Sequence, residues 1–220
     1  MRYYTMKATA FALALLFVFP VSILPASQPL QQETVLVTGF GSFNQWDRNP
    51  SGEIALALND TMVGDAYIIG LVLPVTFDTS HHRLREAIER YDPMAVIALG
   101  LDGTARAIMV ERLAVNLQHP SLLRFSLVNA SGPLVRHTTL PVDVIVAALQ
   151  KEDIAARQSW FAGLYVCNYV FYQLLGDAGQ RGMPAGFIHV PPLPSQEPHG
   201  MELTVMLQGI RMAVNVTVAA

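Results

Sequence analysis

The sequence predicts an α/β fold in which a mostly parallel central sheet is covered by helices on both faces. Short apolar runs end in glycine or proline, and amphipathic segments separate them along the chain. Hydrophobic residues make up 52% of the 220 residues and charged residues only 14%, which argues against disorder. Continuous apolar strands alternating with amphipathic helices are typical of parallel sheets buried between two helical layers.

Five segments are predicted as strands because each is a short run of apolar and β-branched residues bounded by turn signals. In chain order they are residues 34–40, 66–73, 94–99, 160–166 and 186–190.

Five segments are predicted as helices. The first follows Asn49, Pro50 and Ser51, a typical helix start, and the second has apolar residues at positions 84, 87, 88 and 91. On the charged face of that second helix, His81 and His82 are expected to be solvated. Residues 117–139 are the least regular part of the chain, and loops of this length are usually functional or mobile. The predicted helices are residues 52–58, 80–91, 141–149, 167–175 and 202–214.

The N-terminus resembles a secretory signal. Arg2 and Lys7 precede an uncharged apolar stretch, residues 8–26, that ends in small residues. Pro20 interrupts the stretch and leaves a segment that is short for crossing a bilayer of roughly 30 Å. We therefore expect residues 1–26 to be a signal peptide or, alternatively, a membrane anchor. Residues 27–32 are then a linker, and residues 33–220 form a single α/β domain. The protein would be exported (periplasmic or secreted) or membrane-anchored, and cytoplasmic only if the start codon is misassigned.

Composition excludes several classes of partner and cofactor. A net charge of −3 and a pI near 6.0 argue against nucleic acid, which requires a basic surface. A single cysteine rules out an intrachain disulfide and a cysteine-cluster zinc site. Gly39 and Gly41 lack the third glycine of a dinucleotide-binding fingerprint, because that position is Asn44. The sequence therefore predicts neither a metal nor an organic cofactor.

Cys167 is the first candidate for chemistry, because it lies where an apolar run meets a predicted helix. A thiol at a helix N-terminus faces unpaired N–H groups and the positive end of the helix dipole, which favour the thiolate. The alternative is that Cys167 is a small buried hydrophobic residue.

His189 and Glu111 are candidate partners for the thiol. His189 ends a predicted buried strand, and the C-terminal ends of such strands border ligand clefts in α/β sheets. Alternatively, His189 is a core histidine bonded to the backbone. Glu111 follows the loop 100–110 and could orient a catalytic base, although with Arg112 it could instead form a surface ion pair.

Five sequence blocks, taken together, resemble the pyroglutamyl peptidase I (pyrrolidone-carboxylate peptidase) family of cysteine peptidases. The last two blocks are the most specific, because they surround Cys167 and His189 in the order that the family shows. The blocks are VLVTGFGSF with NPS (35–43 and 49–51), LPVTF (73–77), Gly100 with VERLAVNL (110–117), AGLYVCNYVFYQLL (162–175) and GFIHVPPLPSQ (186–196).

The resemblance implies a compact three-layer α/β sandwich, often assembled as a tetramer. It implies a cysteine (thiol) exopeptidase that removes N-terminal pyroglutamate (5-oxoproline) from peptides through a thioester, without a cofactor. By motif, Cys167 would be the nucleophile, His189 the general base and Glu111 the orienting carboxylate. From these roles we expect Cys167 sulfur within about 4 Å of one His189 ring nitrogen, and Glu111 near the other.

The resemblance also implies a substrate pocket. Phe40 and Phe43 match pocket aromatics of the family, and Val115, Tyr165 and Val166 align with other wall positions. Tyr165 replaces a usual phenylalanine. Ordinary core packing is the alternative for each of these side chains, above all for Val115 and Val166.

The chain departs from the family pattern near the site. Leu101 stands where the family usually has glutamine, Arg106 is displaced by one position, and residues 118–137 replace a longer acidic, glycine-rich stretch. An export signal is also unusual in a mostly cytoplasmic family. Two alternative functions therefore stay open: a non-catalytic protein that binds a lactam or peptide end, and a related cysteine hydrolase of another small amide.

Overall fold

The structure is a computed structural model that describes residues 33–121 and 124–220, together with Met1 and Tyr3. Apart from those two residues, the predicted signal peptide or anchor (1–26) and linker (27–32) lie outside the described residues. Among the residues that are described, no helix has the length and apolar character needed to cross a membrane.

Within these described ranges the chain forms eleven strands and five helices. The strands are β1 Thr34–Phe40, β2 Thr61–Val63, β3 Ala66–Leu73, β4 Ala95–Leu101, β5 Ile108–Glu111, β6 Leu113–Val115, β7 Gln118–Ser121, β8 Arg124–Ser126, β9 Val135–His137, β10 Ala156–Ser159 and β11 Ala185–Val190. The helices are α1 Pro50–Leu58, α2 Phe77–Tyr91, α3 Val142–Lys151, α4 Val166–Arg181 and α5 Leu203–Val218.

Seven strands form one mixed, mostly parallel sheet in the order β10-β5-β11-β4-β1-β3-β2. Strands β3, β1, β4 and β11 run parallel to one another. The pair β5 and β10 is parallel internally, but β5 runs antiparallel to β11, and β2 runs antiparallel to β3. Two small antiparallel pairs, β6 with β9 and β7 with β8, lie outside this sheet. The predicted fold class is confirmed.

Each face of the sheet carries its own hydrophobic core. Alternate residues of β1 show this division, because Val35 and Val37 belong to one core and Leu36 to the other. The first core includes residues of α1, α3 and α5, whereas the second includes residues of α2 and α4. Side chains alternate between the faces of a strand, so a sheet with apolar residues at successive positions requires a helical layer on both sides.

The Asn49-Pro50-Ser51 segment joins the end of β1 to α1. The Asn49 side chain caps the helix by accepting a hydrogen bond from Ser51 N–H, and it donates to the Gly41 carbonyl at 2.8 Å. The Ser51 hydroxyl in turn accepts a hydrogen bond from Phe40 N–H at 3.0 Å. Proline at the first helical position has no N–H left to satisfy. These bonds hold the loop after β1 in one conformation.

The predicted strand at residues 160–166 is wrong. The strand in this region is β10, and its sequence ARQS carries no apolar run because it lies at the edge of the sheet. Trp160 and Phe161 are exposed in a loop that ends at Tyr165, and Val166 already belongs to α4. Phe161 and Tyr165 of this run border a cleft, and their apolar side chains are not buried in the sheet.

The prediction for His81 is also wrong. Its Nε2 lies 2.8 Å from Asp177 Oδ2, so the side chain joins α2 to α4 and is mostly buried. His82 is exposed, as expected. Charge periodicity within α2 shows which face is polar, but it does not show that a carboxylate on another helix covers part of that face.

Candidate active site

Glu111, Cys167 and His189 come together because the strands that carry two of them are neighbours. His189 pairs with Gly100 of β4 on one side and with Met109 of β5 on the other. Residues directly opposite in an antiparallel pair share a face of the sheet, and so does the residue two positions further along. Glu111 therefore projects from the same face as His189, diagonally across the β5–β11 pair.

The Glu111 carboxylate binds the His189 imidazole. His189 Nδ1 lies 2.8 Å from Glu111 Oε1, and both side chains are buried. A carboxylate accepts hydrogen bonds, so Nδ1 carries a proton and Nε2 is the ring nitrogen left for Cys167. Arg112 is not the partner of Glu111, because its guanidinium bonds to Gln158 and Asp143. The alternative of a surface ion pair at Glu111 is thus wrong, and His189 is bonded to a carboxylate and not to the backbone.

Cys167 is partly exposed, and its side chain and that of His189 line the same cleft. Burial lowers the pKa of His189, but hydrogen bonds to Cys167 and Glu111, and the negative charges of both groups, outweigh burial and raise it to about 10. The imidazole is therefore protonated at neutral pH. A buried imidazolium requires negatively charged partners, and Glu111 and Cys167 are the acidic groups that act on it.

The sulfur is held between the start of α4 and the backbone of β4. Cys167 is the second residue of α4, and the N-cap Tyr165 makes no side-chain capping hydrogen bond. A Cβ on Gly100 would lie 2.9 Å from Cys167 Sγ, so a side chain at position 100 would displace the sulfur. The next residue, Asn168, is buried and bonds both the N–H and the carbonyl of Val115.

Two adjoining cavities open at Cys167. The smaller is an apolar recess lined by Phe40, Phe43, Asn49, Val75, Leu101, Tyr165, Val166 and Cys167. The larger is a cleft of about 370 Å³ lined by Phe43, Trp46, Leu101, Asp102, Gly103, Phe161, Ala162, Gly163, Tyr165, Cys167 and His189.

Comparisons with known proteins agree with this arrangement. The family model described as pyroglutamyl peptidase matches residues 33–220. The chain belongs to that family. It is 35% identical to the pyrrolidone-carboxylate peptidase of Bacillus cereus (strain AH820), over 84% of this chain and 93% of the relative.

Solved structures of pyroglutamyl peptidases share the fold. The pyrrolidone carboxyl peptidase from Thermococcus litoralis superposes with a TM-score of 0.81 at 33% identity, covering 85% of this chain and 94% of that one. The Bacillus amyloliquefaciens pyroglutamyl peptidase I gives a TM-score of 0.82 at 31% identity, covering 86% and 98% of the two chains. The match extends over nearly the whole of each solved chain, so the family membership covers the complete α/β domain.

The pyroglutamyl peptidase resemblance predicted five pocket residues, and the structure places four of them around the recess. These are Phe40, Phe43, Tyr165 and Val166. The fifth, Val115, is not among the described residues that line either cavity. Its strand, β6, is bound to α4, because the Asn168 side chain bonds both the N–H and the carbonyl of Val115.

Sequence reasoning did not identify several residues of the cleft. Trp46, Asp102 and Gly103 lie in loops that follow strands of the sheet, and Phe161 falls within the predicted strand at residues 160–166. The available signal was the position of Trp46, a large aromatic residue in a loop directly after a buried strand. Leu101, which departs from the pyroglutamyl peptidase pattern, is buried and borders both cavities.

The described residues offer no candidate metal site. Among the residues that the structure describes, no group of three or more histidine, cysteine, aspartate or glutamate side chains could hold a metal ion. What the arrangement can supply is a nucleophilic sulfur, a proton on the adjacent imidazole and a carboxylate that orients the ring.

Proposed function

We propose that this protein is a cysteine exopeptidase that removes N-terminal pyroglutamate from peptides. The observation that carries the proposal is the buried Glu111–His189 pair next to Cys167 at the junction of two cavities. Membership of the pyroglutamyl peptidase family supports the substrate class. Neither a lactam-binding protein nor a hydrolase of another amide has an observation in its favour.

In the first half of the reaction, the Cys167 thiolate attacks the carbonyl that joins pyroglutamate to the next residue. The C–N bond breaks, and the proton on His189 Nε2 goes to the leaving amine, so a thioester and a free peptide result. Acylation removes the thiolate charge, one of the groups that hold the proton on His189. The pKa of the imidazole therefore falls at the step in which the leaving amine takes up the proton.

In the second half, a water molecule attacks the thioester while His189 takes a proton from it. The C–S bond breaks, 5-oxoproline leaves, and the thiolate–imidazolium pair is restored. Backbone N–H groups in the first turn of α4 stabilise the oxyanion in both halves, and each such donor is typically worth about 3 kcal/mol. The Glu111 carboxylate keeps the ring oriented throughout.

The lactam ring of the substrate binds at the apolar recess. Pyroglutamate is small and uncharged, and Phe40, Phe43, Tyr165 and Val166 offer it apolar contacts beside the sulfur. Free space in the recess is about 20 Å³, close to that of one water molecule. The ring therefore enters from the cleft with a side-chain movement, for which the half-exposed Tyr165 is the best placed.

A fluorogenic amide tests the activity. Wild-type protein releases 7-amino-4-methylcoumarin from its pyroglutamyl amide, whereas C167S and H189A release none above background. Wild-type protein that binds pyroglutamate without releasing fluorophore would show a binding protein instead. Cleavage of a prolyl or glutamyl amide in preference to the pyroglutamyl amide would show a different cysteine hydrolase.

We also propose that residues 1–26 direct export of the protein. The support is the basic start at Arg2 and Lys7, followed by an uncharged apolar stretch with a small-residue end. Cell fractionation with mass spectrometry of the N-terminus tests it. Export with cleavage gives a soluble extracytoplasmic protein lacking these residues, and an uncleaved anchor gives a membrane fraction that retains them. An intact Met1 in the cytosolic fraction would contradict export.

A further proposal concerns assembly. The resemblance to pyroglutamyl peptidases implies a homo-oligomer, often a tetramer, and several apolar side chains between residues 125 and 135 are exposed. Size-exclusion chromatography with light scattering measures the mass directly. A single species with the mass of one chain, 24.1 kDa when residues 1–26 are retained and less when they are removed, would contradict assembly.

A further inference from the structure

We propose that the cleft beside Cys167 binds the side chain of the residue that follows pyroglutamate and selects aromatic or large apolar side chains there, with Phe161 as a main contact. The inference rests on the proposed function, because it assigns the second half of the same substrate to a second cavity.

The positions of the two cavities relative to the catalytic groups indicate which half of the substrate each one takes. Cys167 lines both cavities, but His189 lines only the cleft. The bond that breaks joins the acyl half to the leaving amine, and His189 must reach that amine to protonate it. The leaving half of the substrate consequently lies in the cleft, and the lactam lies in the recess.

Aromatic rings dominate the walls of the cleft. Four of its lining residues are aromatic: Phe43, Trp46, Phe161 and Tyr165. Trp46 is a rigid wall, because its backbone N–H and carbonyl both pair with Phe43, and its ring packs directly against Gly103. A volume of about 370 Å³ leaves room for a large side chain.

Two of these aromatic residues expose apolar surface to solvent. Phe161 is 59% exposed and Tyr165 is 45% exposed, although both lie next to a reactive cysteine. Gly163 between them has a φ of +77°, a left-handed conformation that reverses the loop and that glycine adopts readily. An apolar side chain of the substrate would cover these rings and remove apolar surface from water on both partners.

The charge of the cleft disfavours acidic side chains of the substrate. Asp102 is the one carboxylate among the described residues that line it, and none of those lining residues is a lysine or an arginine. An aspartate or glutamate after pyroglutamate would meet the like charge of Asp102, and the one cationic group among the described lining residues, His189, is already paired with Glu111 and Cys167. The cleft therefore favours an aromatic side chain over a small one and disfavours an acidic one.

Dipeptide amides test the inference on the full-length protein. We expect kcat/KM for pyroglutamyl-phenylalanine amide to exceed that for pyroglutamyl-alanine amide by about tenfold, with pyroglutamyl-glutamate amide the poorest substrate. F161A should reduce the ratio of the phenylalanine to the alanine substrate severalfold. Chromatography of the released amino acid amides measures all three rates, and thermal unfolding checks that the variant is folded.

W160A is the matched control. Trp160 is 58% exposed, directly precedes Phe161, and packs over Arg112 without lining the cleft. It should leave the substrate ratio unchanged. Equal kcat/KM for the phenylalanine and alanine substrates in an active enzyme would overturn this inference but not the proposed function. Equal effects of F161A and W160A on the substrate ratio would do the same. Failure to cleave every pyroglutamyl substrate, including the coumarin amide, would overturn the proposed function as well.

Discussion

His189 is held between two acidic groups, and this environment governs the chemistry of the site. Glu111 uses Oε1 for His189, while its Oε2 is buried and has no hydrogen-bond partner among the described residues. A buried carboxylate that is bonded mainly to one imidazole depends on the positive charge of that ring. The positive charge of His189 thus stabilises the Glu111 carboxylate, and the carboxylate in turn stabilises the protonated imidazole.

Replacing Glu111 by glutamine keeps the shape of the side chain and removes its charge. We expect E111Q to lower the pKa of His189, because one of its negative partners is lost, and to reduce kcat by about 10²-fold or more. The pH profile of kcat/KM on the coumarin amide measures both effects. D143N is the control, because it removes an exposed carboxylate that pairs with the neighbouring Arg112, and it should leave activity unchanged. Equal activity of E111Q and wild type would contradict an orienting role for Glu111.

The His189 imidazole should titrate near pH 10, well above the ordinary value of 6.5. A pKa raised in the folded state stabilises the fold fully below about pH 6.5, and this contribution is lost as the pH rises towards 10. Nitrogen-15 NMR of the histidine rings follows the titration, and urea unfolding at pH 6, 8 and 10 follows the stability. C167A should move the titration to lower pH. An imidazole that titrates near 6.5 in the wild-type protein would contradict the charged pair.

At the level of secondary structure elements, the approach of α4 to β4 sets the position of the nucleophile. The N-terminus of α4 brings Cys167 against the backbone of β4 at Gly100, and the Asn168 side chain binds the same helix to Val115 and Leu117. These contacts fix the sulfur from two sides. Activity should therefore be sensitive to small changes of packing at this junction.

G100A tests the packing of this junction. The added methyl would lie 2.9 Å from Cys167 Sγ and 2.8 Å from Phe187 Cζ, so we expect a loss of about 1–3 kcal/mol in the free energy of unfolding. Displacement of the sulfur should reduce kcat/KM further, by about 10²-fold. Urea unfolding and the coumarin assay separate the two effects.

G179A is the control for this substitution. Gly179 is exposed in the same helix, and a Cβ there would meet nothing within 4 Å. Alanine should therefore raise the free energy of unfolding by up to about 1 kcal/mol through helix propensity, with activity unchanged. Full activity in G100A would show that the sulfur is free to move and would contradict the packing argument.

At the level of the whole molecule, the hydrophobic core of the described chain lies between Val35 and Val214. Both core clusters are built from elements of the α/β domain, and the family model begins at residue 33. A chain starting at residue 33 should therefore fold alone, with a Tm within a few degrees of the full-length protein and the same kcat/KM. Calorimetry and the coumarin assay measure this. An unfolded or inactive 33–220 fragment would contradict an independent domain.

Local patterns in the sequence were sufficient to predict most of the helices and long strands. The predicted strands at 34–40 and 66–73 coincide with β1 and β3, because a buried strand is apolar along its whole length. Strand β5 has only four residues and was hidden in a predicted loop, and the polar edge strand β10 has no apolar signal at all. The apolar residues of the loop 160–165 predict a strand that does not form, because burial in a sheet and exposure at a cleft produce the same composition.

The sequence by itself determined the alternating strands and helices of the α/β domain and the residue types that could carry thiol chemistry, because periodicity, helix starts and motif blocks are local. Only the tertiary structure decided that Glu111 binds His189 and not Arg112, since this depends on the antiparallel register of β5 against β11. It also decided that the cleft is walled by Trp46 and Phe161, which lie on separate loops far apart in the chain. Contacts between distant segments depend on strand order and register, and no local pattern encodes either one.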